Sequence, residues 1–451
     1  MRSRLRWLLV LASVLALTVA GLPAQADHKT RPHTRNIKAL GHSPQPATFP
    51  GPINSDIAFW GKTAFNGNYD GFRVIDISAP GNPEEISHPS CNGDQGDIVV
   101  WDDILLRSWN SPAPAGRLCG GEPVPVGFEG FHIFDISDLS NPELIGDVEL
   151  SARPQADAFG CGSHTATAVP DLENNRLLVY NATSGGPCPF VSIIEVPLDD
   201  PANASFLRNE PLIEADAAHD NGVILGDANL LVSAAHSHAN VFDIGDNQFP
   251  GGSLEDPEFL FHITEPGVGI GGNWHSAALT WDGEVIVMGW EPGGGVQAEC
   301  EATDPDVKKS AFFYDADTGA KLGQWTLPRA QGPDENCTIH NYNVVPTRNG
   351  RYVLVSGNYQ AGTWVTDFTD PANPVTVAWS DPPSLGPGPF CSQTNPPGCQ
   401  LGGAWSTYWY NNFIYESEIT KGLNIFRLSD KVTGGAIRLP HLNPQTQEFS
   451  Q

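Results

Sequence analysis

One fifteen-residue phrase recurs along this chain and constrains its fold more than any other feature. "FRVIDISAPGNPEEI" (72–86) returns as "FHIFDISDLSNPELI" (131–145). Looser copies follow as "VSIIEVPLDDPANASFL", "ANVFDIGD", "AFFYDADTGAKLGQW", "TWVTDFTDPANPVTV" and "LNIFRLSD". Aligned on the acid, the copies place Asp76, Asp135, Glu195, Asp243, Asp315, Asp367 and Arg427 at 48- to 72-residue spacings. A fixed repeat of this length signals a repeat architecture rather than a set of unrelated domains. Each copy reads as an apolar strand, a turn that is often Asn-Pro, and a further short strand. Between copies lie hairpins such as "SHTATAVPDLENNRLLVYNA" and "NWHSAALTWDGEVIVMGWE". The unit is therefore four strands, the blade of a β-propeller. A lone four-stranded sheet leaves its faces in water, whereas blades packed radially bury them against one another. With 47 Gly, 39 Pro and two Met, the composition suits many short strands and offers little to long amphipathic helices.

The predicted fold is all-β: a single seven-bladed propeller over residues 36–430, with no separate domain. The seventh copy ends at its third strand, and "NIKALGHS" (36–43) resembles an orphan fourth strand. That N-terminal strand is expected to complete the last blade and close the ring, removing both open edges. Residues 27–35 form a short lead. The segment 431–451, rich in Pro and Gln, is expected to pack loosely.

The repeat pattern, best preserved in the first, second and sixth copies, resembles the LVIVD-repeat family of secreted bacterial propeller-like proteins. The resemblance covers nearly all of 36–430. It implies the fold and leaves the activity open.

Arg2, Arg4 and Arg6 precede an apolar run from Trp7 to Leu22 and then Ala24-Gln25-Ala26. This is the pattern of a signal peptide (1–26) cut after Ala26, so the protein is expected to be secreted, with no membrane span. Its loss would carry off three of the 24 basic residues and move the formal charge from −28 to about −31. A field of that sign repels phosphate backbones and argues against a nucleic-acid partner.

An even eight cysteines in an exported chain favour disulfides. Position in the repeat pairs Cys91 with Cys119, Cys161 with Cys188, Cys300 with Cys337 and Cys391 with Cys399. All four would staple the face that carries the long loops.

Registering the hairpins on their turns at Pro170, Leu225, Trp281 and Pro346 puts His164, His219, His275 and His340 in one slot, six residues earlier. The same slot holds Asn54 and Gln95 in the first two blades, with Asp56 and Asp97 two residues on, and Ala404 or Trp405 in the last. In a propeller the first strand of each blade lines the channel, so the four imidazoles should converge at its mouth. The competing reading is a structural histidine copied by the repeat and hydrogen-bonded to a neighbouring blade. Neutral imidazoles suit iron, copper or zinc, and ligands from one side leave positions open. Four histidines on a propeller axis resemble the arrangement of iron-dependent carotenoid-cleaving oxygenases. Asp56, Asp97 and Glu291 are the expected outer acceptors or proton carriers. His236 and His238 are weaker candidates, and sequons occur at Asn181, Asn203 and Asn336. Two functions follow. One is a monomeric metalloenzyme of the oxidoreductase class acting on a small molecule. The other is a non-catalytic extracellular module that binds a protein or polymer through its loop face. No hydrolase, nucleotide or zincin motif is present.

Overall fold

The strands assemble as consecutive antiparallel meanders. A computed structural model describes residues 31–45, 53–150, 161–184, 188–245, 251–269, 272–295, 298–386 and 402–448. The expected signal peptide and the Cys391–Cys399 bridge lie outside these residues. Within them the chain is all-β, with short 3₁₀ turns and no α-helix, in a propeller-like arrangement of blades. The meanders occupy 54–87, 98–149, 165–211, 220–263, 272–326 and 341–380. The strands of 404–428 are joined by Ile37–Pro44, which pairs antiparallel with Gly422–Leu428. The N-terminal strand thus lies where the sequence placed it. The last two meanders are also linked at one parallel pair, Asn341 with Ser406.

The repeated acid has a local purpose. Asp76 and Asp135 accept the backbone N–H two residues on, at 2.7 and 2.8 Å, closing the turn between third and fourth strands. The Asn-Pro that follows sits in the next turn, where Asn82 and Asn141 donate their N–H to carbonyls three residues back. The third and fourth strands are also bulged at matching places, including Val74/Ile75, Ile133/Phe134 and Phe313/Tyr314. Ile37–Pro44 carries the same bulge, at Ala39/Gly41, so the orphan strand behaves as a fourth strand in detail.

Burial falls from the inside out. Val285–Pro292 is buried at every residue, whereas the fourth strand Glu84–Ser87 is mostly exposed. Inner strands are covered on both faces and so read as unbroken apolar runs. Apolar clusters fill the gaps between successive sheets. One joins the first to the last, packing Ile57, Phe59 and Ile75 against Tyr408, Tyr415 and Ile425. First strands touch first strands in chain order, and Ala404–Tyr410 packs against Asn54–Trp60.

The short lead is anchored: Arg31 is buried and grips Glu416 with two bonds of 2.7 and 2.8 Å. The expectation of a loose 431–451 segment does not hold over its described part, 431–448. Residues 442–447 are buried, because their polar side chains find backbone partners on the innermost strands.

Candidate metal centre

His164, His219 and His340 immediately precede their inner strands, and His275 is the fourth residue of Gly272–Leu279, so all four lie at the strand ends that the register predicts. His164, His219 and His340 each donate a backbone N–H to the adjoining second strand, at 2.7–2.9 Å. In two of the blades a hydroxyl one residue on ties the sheet to the next: Thr165 Oγ1 donates to the His219 carbonyl at 2.8 Å, and Ser276 Oγ to that of His340 at 2.6 Å. The rings form a continuous arc. Centroids lie 4.4 Å apart for His164–His219, 4.1 Å for His219–His275 and 4.1 Å for His275–His340. All four are buried.

Glu291 ends the second strand of the His275 sheet and turns its carboxylate into this arc. Oε2 lies 3.9 Å from Nε2 of both His219 and His275, and Oε1 lies 3.7 Å from Nε2 of His340. These separations are too long for hydrogen bonds. For Oε2 with His219 and His275 they fall just under twice a metal–ligand bond of about 2.0–2.1 Å. His219, His275 and Glu291 offer ligand atoms all within 4.8 Å of one another. Glu291 was expected outside the ligand shell, orienting imidazole N–H groups. It faces the Nε2 atoms instead, because its strand runs beside that of His275 and ends at the same mouth.

Electrostatics keep the imidazoles neutral and available as donors. Burial lowers His164 to about 4 and His340 to about 3, and it holds His219 and His275 well below the ordinary value, with charge on neighbouring imidazoles, His164 and His340 among them, adding to the effect. Burial raises Glu291 to about 7, against the opposing bond from Tyr359, whose hydroxyl donates to Oε1 at 2.9 Å. Tyr359 also packs on His340, with centroids 4.3 Å apart. His340 Nδ1 donates to the Trp405 carbonyl at 2.5 Å. Trp405 thus holds the last blade's place in the slot. Nδ1 of His164, His219 and His275 finds no partner at full hydrogen-bond geometry, although the carbonyls of His275 and His340 still favour the charged forms of His219 and His275.

Asp56 and Asp97 line the same small cavity as His164, His275 and His340, but neither bonds an imidazole. Asp56 accepts from Ile57 N, Tyr408 OH, Gln445 Nε2 and Asn341 Nδ2 at 2.6–3.3 Å. Asp97 accepts from Ala166 N at 2.6 Å. The expectation that they orient imidazole N–H groups is therefore corrected: nearer donors on the inner strands take their oxygens. Asp220, next to His219 in the chain, joins them as a third buried carboxyl with its pKa raised, first by burial and partly by Asp56.

Of the four histidines expected to share one ion, His164 and His340 belong to the arc but not to the three-residue group, and His236 and His238 also stand outside it. His238 packs on His262 and bonds Ser237 Oγ at 2.8 Å. Tyr359 and Asp220 escaped sequence reasoning. The signal for Tyr359 was its place just past the second strand of its blade, as Glu291 ends that of the preceding one. Of the sequons, Asn181 and Asn336 are buried and Asn203 is exposed.

Cys91–Cys119, Cys161–Cys188 and Cys300–Cys337 are bridged as expected, and no described cysteine is free. Cys161 and Cys337 each lie three residues before a histidine of the arc, so these bridges brace its entry strands. His132 lies near Cys91 and Cys119, but their sulfurs are bonded to each other and offer no thiolate.

Among curated proteins none matches the sequence. A chain in a solved structure titled "Crystal Structure of Mitotic Checkpoint Complex" is similar at 11% identity and a TM-score of 0.49, covering 94% of this chain and 99% of that chain. The family model described as "LVIVD repeat" matches residues 54–89 and 124–149, so the protein carries LVIVD repeats where the repeated phrase is best preserved.

Proposed function

We propose that seven four-stranded blades close into a ring and that its mouth binds one transition-metal ion through His219, His275, His340 and Glu291. The ring rests on the cycle of first-strand contacts and on the shared bulge of Ile37–Pro44. The metal reading is carried by the 3.7–3.9 Å gaps between the Glu291 oxygens and three Nε2 atoms. His164 extends the arc as a neighbour of His219.

Three imidazoles and a carboxylate suit iron, copper or zinc. An iron or copper ion would supply redox chemistry on a small molecule. The chain's own residues hold the ligands neutral by burial and keep bulk water out. They also hold Glu291 in place through the bond that the Tyr359 hydroxyl donates to Oε1. The cystine bridges fit export to an oxidising compartment, where the acidic protein acts as a monomer without nucleic acid.

Elemental analysis of protein purified without an affinity tag tests the site. About one equivalent of iron, copper or zinc is expected, falling below a tenth in His219→Ala/His275→Ala. Wild-type protein that stays metal-free after incubation with each ion would overturn the reading and favour the binding-module alternative.

A further inference from the structure

The channel has a second end, and the chain fills it. The histidines lie at the starting ends of the inner strands, whereas segment 441–448 meets those strands where they finish. From His275 to Leu279 is four residues, about 13 Å along a strand. Near that far end Leu442 pairs with Phe59, and Asn443 grips both backbone groups of Val100: Oδ1 accepts its N–H at 2.9 Å, and Nδ2 donates to its carbonyl at 2.8 Å. Thr446 Oγ1 donates to the Ala168 carbonyl at 2.6 Å, and Thr446–Glu448 runs parallel to Val223–Leu225. Gln447 repeats the grip of Asn443 on Leu279: Oε1 accepts its N–H at 3.1 Å, and Nε2 donates to its carbonyl. Eight residues therefore engage inner strands of five sheets. An inner strand has an unpaired edge on the channel side, and its buried N–H and C=O groups need partners. The side-chain amides of Asn443 and Gln447 supply them as a further strand would.

We propose that segment 441–448 is an intramolecular plug. It docks as a unit on the inner strands and seals the channel end opposite the histidines, leaving a blind pocket entered only through the disulfide-braced face. The inference stands on these hydrogen bonds and holds whether or not the mouth carries an ion. Its inward tip is Gln445, whose Nε2 donates at 2.8 Å to Oδ2 of Asp56, a residue that lines the cavity of His164, His275 and His340. At the rim His441 stacks on Trp60 with centroids 4.3 Å apart.

Hydrogen exchange on the full chain tests the plug. In Asn443→Ala/Gln447→Ala, exchange at the Val100, Val223 and Leu279 amides should rise at least tenfold, with the third strands unchanged. Val223 is decisive, because its partner is the backbone carbonyl of Gln445, which neither substitution removes. If Val223 stays protected while Val100 and Leu279 open, the segment does not dock as a unit and the proposal falls. Should the double variant fail to fold, cleavage of the otherwise unchanged folded chain at a protease site inserted between Gly434 and Gly435 gives the second measurement. Protection of the three amides should follow occupancy by the 435–451 peptide, being lost when it leaves and restored by synthetic peptide. Protection independent of the peptide would overturn the plug.

Discussion

Two halves of the channel mouth occupy the same backbone slot and do different chemistry. On one side the slot holds His164, His219, His275 and His340, rings packed in a continuous arc with Glu291 turned towards the nitrogens of the last three. On the other it holds Asn54, Gln95 and Trp405, with Asp56 and Asp97 just inside. There the polar groups consume one another: Asn54 donates to the Glu418 carbonyl at 2.9 Å, and Asp56 takes four donors. Saturated groups hold the blades in register. The imidazole nitrogens that face Glu291 stop short of hydrogen bonding it, at 3.7–3.9 Å, as the proposed ligand role requires. The repeat thus fixes where a residue stands, and its bonding decides whether it is structural or available.

The largest effect that would break this contrast concerns metal. Replacing His219 and His275 by Ala should weaken binding about a thousandfold, roughly 4 kcal/mol, while Gln95→Ala leaves it within a few fold. Competition with a chelator measures both, and equal losses would erase the distinction. Next in size is stability. Asp56→Ala strands donors from Ile57, Tyr408, Asn341 and Gln445 and should cost about 2–3 kcal/mol in denaturant unfolding, with metal content kept. A variant that loses metal but not stability would reverse the roles of the two halves.

A smaller effect separates satisfied from unsatisfied carboxyls. Burial raises Glu299 to about 9, Thr338 donates to one oxygen at 3.1 Å, and Oε2 has no partner. Above the unfolded value of 4.5 the unfolded chain releases this proton while the native state retains it. Wild-type stability therefore falls as pH climbs from 4.5 towards 9. Glu299→Gln should remove that loss, raising Tm by a few degrees at pH 8 and by nothing at pH 4. A gain that does not grow with pH would mean the carboxyl is ionised in the fold. The smallest shift is at Glu291. Tyr359→Phe deletes the donor that lowers its pKa, so the carboxyl should titrate about one unit higher in metal-free protein, read by infrared difference spectroscopy. An unchanged titration would show that the tyrosine does not hold this proton.

Much of this was legible in one dimension. The recurring phrase gave the strand order, because Asx turns and Asn-Pro turns are local devices that any copy must repeat. It also marked the orphan strand 36–43 and the histidine slot. The cystine partners followed from equivalent places in successive repeats. What resisted was anything set by direction or distance. Glu291 reads as a strand end, and only the packing of its sheet beside His219 and His340 turns it from an outer acceptor into a neighbour of three Nε2 atoms. A bulge at Trp274/Ser276 shifts the register right at His275, which no period-two pattern reports. Segment 441–448 looked like a frayed end because its Pro, Asn and Gln carry no apolar signal. In the channel those same amides are the groups that satisfy buried strand edges. By itself the sequence determined the repeated unit and the residue in each slot, since local hydrogen bonds and alternation write themselves into neighbouring letters. Which side chains meet across the axis, and that a polar segment would seal it, was decided only when strands hundreds of residues apart came to share one buried space, where every unpaired polar group must find a partner.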